Sequence, residues 1–129
     1  LTPNDSNNRE FGYSHYWHND GQAIDTIKLF VALSAITEAD GPLMVLPKDV
    51  TRRLMNWRFD RKQIRHNNEL NTQSSKVTGP RGTAALCNTT LCLHRAGIPN
   101  PHRHRDMLQF LFKSHPTRDL SLPDTARLY

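Results

Sequence analysis

Long hydrophobic runs are missing from this chain of 129 residues; nothing in it approaches the ~20 apolar residues that a membrane-spanning helix needs. No leader pattern of charge followed by an apolar stretch opens it, since Leu1 is followed by polar residues from Thr2 to Asn8. A start at Leu1 rather than Met marks the chain as an expected fragment or processed product. Cysteine is scarce: only Cys87 and Cys92, five residues apart. On one strand that odd spacing places them on opposite faces, which disfavours a direct intrastrand disulfide and predicts reduced thiols in a cytoplasmic protein. Internal repeats and low-complexity tracts are absent too. With 36% hydrophobic and 22% charged residues, residues 1–129 read as a single soluble globular domain with a patternless tail over 114–129.

Positive charge is in excess, with 17 Lys and Arg against 12 Asp and Glu and a formal net charge of +5. Anionic partners follow, whether nucleic acid, phosphorylated substrates or carboxylates, and composition does not choose among them. Much of the charge falls on one segment: Asp49 to Leu70 has helical spacing, with Leu54, Trp57 and Ile64 on one side. Arg52, Arg53, Arg58, Arg61, Lys62 and Arg65 fill the rest. They form a solvated face, or a grip for a phosphate-bearing substrate.

Elsewhere the patterning is β. Phe11 to Asp20 is aromatic-rich and extended, and Thr26 to Ile36 is an apolar, β-branched run with the character of a strand buried on both faces. Leu43 to Leu46 is a short strand stopped by Pro47, and Asn71 to Lys76 reads as a loop. Thr83–Cys87, Thr89–Ala96 and Arg103–Phe112 supply further strands. Several short strands and one inserted helix predict a mostly β sandwich or open barrel.

Against that background, His18-Asn19-Asp20 carries the chemistry. Residues two apart on an extended strand point to the same side, so His18 and Asp20 present an imidazole and a carboxylate together. His94, from a distant strand, would complete two imidazoles and one carboxylate on one face of a metal. That set leaves coordination positions open and is characteristic of non-haem Fe(II) oxygenases. The spacing His-x-Asp is common by chance, and His104-Arg105-Asp106 repeats it, but there the flanking Arg103 and Arg105 oppose a cation. Arg105, eleven residues after His94, can fix a carboxylate cosubstrate through its planar fork. Arg103 shares its parity on a strand, and alternation alone does not separate the two.

Five words taken together, Trp17-His18-Asn19-Asp20, Val31-Ala32-Leu33, Asp40-Gly41-Pro42-Leu43-Met44-Val45-Leu46-Pro47, Gly82-Thr83 and Leu91-Cys92-Leu93-His94-Arg95-Ala96-Gly97, with Asn100 and Arg105 following, resemble the phytanoyl-CoA dioxygenase family. The resemblance runs from Trp17 to about Phe112. It implies a double-stranded β-helix (a jelly roll of cupin type), here incomplete at its N-terminus, since only sixteen residues precede Trp17. A missing segment or a partner chain would then complete it. The resemblance also implies a 2-oxoglutarate-dependent Fe(II) dioxygenase. In it His18, Asp20 and His94 are iron ligands, Arg105 meets the distal carboxylate of 2-oxoglutarate, and Phe30 stands beside the cosubstrate or is an ordinary core residue. Molecular oxygen and a small organic substrate are the remaining reactants; neither a membrane nor nucleic acid is expected. The carboxylate of Asp20 implies hydroxylation, because related halogenases carry a small residue there. Two positions depart from the family: Pro47-Lys48-Asp49-Val50 replaces Pro-Gly-Ser-His, and Ala96 replaces a serine that often bonds the cosubstrate. The rival expectations are a non-catalytic β-sandwich module that binds nucleic acid or another anion, and an inactive relative that keeps the ligands but not the cosubstrate.

Overall fold

The computed structural model describes residues 13–56 and 68–113. Six strands form two antiparallel three-stranded sheets. In the first, β1 (Ile27–Ala32) is central, flanked by β4 (Ala84–Cys87) and β6 (Met107–Phe112). In the second, β2 (Leu43–Val45) lies between β3 (Ser75–Lys76) and β5 (His94–Ala96). The protein is therefore mostly β, as the patterning predicts, and among the described residues the two sheets are not closed into a barrel.

Alternation along β1 sorts its residues. Phe30 and Ala32 are buried and share a face with Lys28, while Ile27, Leu29 and Val31 turn the other way. The ladder register carries this face across the sheet, setting Lys28 beside Cys87 and Leu111 and Phe30 beside Ala85 and Gln109. The second sheet has two faces of its own. Trp17, Met44, Leu46 and Leu93 pack with Val50 and Leu70 into the main core, with Leu54 against it. Helices α1 (Lys48–Asn56) and α2 (Asn68–Gln73) supply those last three residues and cover that side. Thr51 fastens α1 to the sheet, its hydroxyl oxygen accepting a hydrogen bond from the Leu93 N–H at 3.0 Å.

Of the helix expected over 49–70, the described residues hold α1 and the start of α2. Trp57, Arg58, Arg61, Lys62, Ile64 and Arg65 lie outside the described residues, as do Phe11 and the tail from 114. The loop expected over 71–76 instead holds the end of α2 and the short β3.

Four expected strands are shorter than their patterns: the run at 26–36 is strand only over Ile27–Ala32, that at 103–112 only over Met107–Phe112, and the aromatic run and the run at 89–96 are cut back as follows. Tyr13–His15 is a 3-10 turn, and His18 enters the sheet through one bridge, exchanging backbone bonds with His94 at 3.0 and 2.9 Å. Strand β5 correspondingly starts at His94 rather than Thr89. The cause is Asn88. Its side-chain carbonyl accepts the N–H groups of Thr90 (3.1 Å) and Leu91 (3.0 Å), and its backbone carbonyl accepts that of Cys92 (3.0 Å). An asparagine that offers the backbone this alternative folds the segment into a turn and removes it from the ladder. Past the turn, the Asp20 N–H still reaches the Thr89 carbonyl at 3.0 Å.

Candidate metal centre

On the side of the second sheet away from the main core, the single bridge places His18 and His94 next to each other. Their ring centroids are 4.3 Å apart and the planes tilt by 51°. Asp20 joins them from two residues along, and one ligand atom from each of the three lies within 4.8 Å of the others. Both histidines are buried and Asp20 is half-buried. These residues can hold a metal ion; the two-residue spacing pairs Asp20 with His18, and the bridge to a distant strand brings His94.

The ring orientations suit ligation. His18 Nδ1 is 2.7 Å from the Tyr16 carbonyl and His94 Nδ1 is 3.3 Å from that of Cys92. A carbonyl only accepts, so each Nδ1 donates to the carbonyl beside it. His94 Nε2 lies 3.9 Å from Asp20 Oδ2, on the side where the three groups converge. This backbone fixing of the distal ring nitrogen is the usual support of a metal-binding imidazole. Burial and then the adjacent His18 push His94 down to about 4, keeping its ring neutral.

Asp20 is held by two residues that the sequence reading did not single out. Lys28 Nζ is 2.5 Å from Oδ2, and the Thr89 hydroxyl donates to the same oxygen at 2.5 Å. Burial alone would raise the Asp20 carboxyl, but the bonds from Lys28 and Thr89 and the nearby His94 outweigh it and hold it below its ordinary range. Thr89 is fully buried and arrives through the Asn88 turn, which no periodicity reveals. Lys28 did leave a trace, as a cation inside an apolar strand, on the parity of Phe30. Because Lys28 belongs to the first sheet and His94 to the second, the centre lies between the two sheets.

The remaining candidates fall as follows. Phe30 is buried on the same face of β1 as Lys28. Arg105 is half-buried; its Nη1 donates to the Gly41 carbonyl and, at 2.9 Å, to that of Gly97. Arg103 is committed elsewhere. Its Nε donates to Asp40 Oδ1 at 2.9 Å and its Nη2 to Oδ2 at 3.2 Å. The second His-x-Asp word is not assembled: His104 and Asp106 are 3.7 Å apart with well-exposed side chains, and no third ligand joins them among the described residues. Cys87, opposite Lys28 across the ladder, is free and half-buried. Burial, reinforced by Cys92, pushes its thiol up to about 11, so it offers no thiolate to the site at neutral pH.

No protein-family model, curated protein or solved structure matches the chain. Among the described residues, no helix is long and apolar enough to cross a membrane.

Proposed function

We propose that this chain is the oxygenase domain of an Fe(II)- and 2-oxoglutarate-dependent hydroxylase of the phytanoyl-CoA dioxygenase type, its two sheets being those of a jelly roll. The observation that carries the reading is the donor set: two buried imidazoles and one carboxylate, with one ligand atom from each within 4.8 Å of the others. Two nitrogens and one oxygen on one face suit Fe(II) and leave positions for exchangeable ligands. Fe(II) bound there would supply oxygen activation coupled to decarboxylation of 2-oxoglutarate to succinate, with one oxygen atom passing to a C–H bond of a small organic substrate.

The chain's own residues do the rest. The Tyr16 and Cys92 carbonyls hold the two rings, and Thr89 aims the Asp20 carboxylate. Phe30 and Ala32 are buried on the face of β1 that carries Lys28, and excluding water strengthens every charge interaction inside. Arg105 is the better candidate for the distal carboxylate of the cosubstrate. Its Nη1 donates to two carbonyls, and among the described residues nothing takes the Nε and Nη2 edge that would make a bidentate pair. In Arg103 the Nε and Nη2 edge is taken by Asp40. Ala96 offers no hydroxyl to the cosubstrate, so Arg105 bears more of its binding. A carboxylate at position 20 fits hydroxylation rather than halogenation.

Anaerobic titration with Fe(II) and 2-oxoglutarate tests this. The weak visible charge-transfer band of the chelate is expected in the native protein and absent in His18→Ala. Arg105→Ala is expected to weaken 2-oxoglutarate binding by about tenfold or more, the worth of a charge-assisted pair, while Arg103→Ala leaves it unchanged. No band in well-folded protein sinks the oxygenase reading in favour of a binding module. The reverse order of the two arginines overturns the Arg105 assignment alone.

A further inference from the structure

Lys28 is the residue at this centre that the oxygenase reading does not use. Its side chain is only 12% exposed, and its ammonium rests on Asp20 Oδ2 at 2.5 Å. That oxygen also receives the Thr89 hydroxyl at 2.5 Å and lies 3.9 Å from His94 Nε2, so the lysine and a metal ion would address the same carboxylate from within the same few ångströms. A buried ammonium needs a counter-charge. With Lys28 alone, Asp20 supplies it and the pair is neutral. A divalent cation between Asp20 and two neutral imidazoles changes the balance, because metal, carboxylate and ammonium together carry two uncompensated positive charges in an enclosed space.

We propose that Lys28 is an anion-binding residue of the metal centre, which yields Asp20 to a divalent cation and turns its ammonium to a carboxylate of a doubly charged oxo acid. This rests on the metal reading of His18, Asp20 and His94. That excess calls for an anion, and 2-oxoglutarate brings two carboxylates. The long, flexible lysine stem permits the exchange that a rigid guanidinium fork would resist. Thr89 stays on Oδ2 when Lys28 leaves and keeps the carboxylate aimed. Arg105, held by the Gly41 and Gly97 carbonyls, takes the distal end of the same molecule, and Lys28 takes the end beside the metal. Lys28 thereby makes cation and anion binding depend on each other: the dianion stabilises the displaced lysine, and the lysine disfavours a metal bound without it.

The test compares Lys28→Met with the native protein in two separate titrations, Fe(II) alone under anaerobic conditions and then 2-oxoglutarate into the Fe(II)-loaded protein. The expected result is Fe(II) affinity unchanged or raised, because a competing cation is gone, with 2-oxoglutarate affinity lowered by about tenfold or more. Lys28→Gln keeps a hydrogen-bond donor for Asp20 without the charge, so it serves if the methionine variant melts early, and the same loss is expected of it. Weaker Fe(II) binding with 2-oxoglutarate affinity intact would overturn the proposal and leave Lys28 as a support for Asp20. Fe(II) binding and 2-oxoglutarate binding both unchanged would overturn it alone. Native protein that takes up no Fe(II) would overturn it together with the oxygenase reading.

Discussion

Single residues at this centre are set by who shares a proton with whom. His94 is 6% exposed and pushed down to about 4, chiefly by burial, whereas in the unfolded chain it titrates near its ordinary 6.5. Between these values the unfolded chain binds a proton that the folded protein does not, so acid favours unfolding. Asp20, held below its usual range by Lys28 and Thr89, adds to the same trend at lower pH. Stability of chelator-treated protein is therefore expected to be level between about pH 7 and 8 and to fall as the pH drops from 6.5 towards 4, by on the order of 3 kcal/mol from His94. Urea melts across that range check it, and His94→Gln should flatten the profile. A native profile independent of pH in this window would mean that the ring is not buried neutral.

Elements matter here mostly through how they end. The turn after the Glu38–Asp40 3-10 helix passes through Gly41 at φ +65°, a left-handed conformation that glycine adopts without penalty. A Cβ there would sit 2.5 Å from Pro99 N and 2.6 Å from the Gly97 carbonyl oxygen, because the two loops touch by their backbones and Arg105 bonds both. Gly41→Ala combines strain with collision and is expected to destabilise by about 2–3 kcal/mol, read as a lower melting temperature. It should weaken 2-oxoglutarate binding as well, since it displaces the carbonyls that hold Arg105. Gly21→Ala, whose Cβ would meet nothing within 4 Å, is the matched control. Such ends were only partly legible beforehand. Pro47 marked the stop of β2 and the run at 26–36 marked β1, because proline and β-branched residues act locally. The Asn88 turn went unread inside an apolar run, since its effect depends on which backbone N–H groups come within reach of one side chain.

Across the whole molecule, the outer face of the first sheet stands open. Leu86 is 65% exposed, Phe112 54%, and Leu108 and Phe110 47% each, and β4 and β6 are its edges among the described residues. A contiguous apolar patch on an edge strand promotes association. The double variant Leu108→Thr/Phe110→Thr, threonine being a good strand former, is expected to reduce dye binding and concentration-dependent sedimentation while changing the melting temperature little. Unaltered sedimentation would place any association elsewhere. At this scale sequence and structure divide their contributions. The sequence by itself determined the β character, the absence of a membrane-length apolar run and the candidate ligands, because alternation is a property of the strand and puts His18 and Asp20 on one side wherever that strand goes. Only the tertiary structure set Arg103 on Asp40 and Arg105 on two glycine carbonyls, and brought Lys28 and Thr89 to Asp20. Those are contacts between residues 8 to 69 positions apart. Local periodicity carries no information about which distant backbone a side chain will meet; the packing of one sheet against the other does.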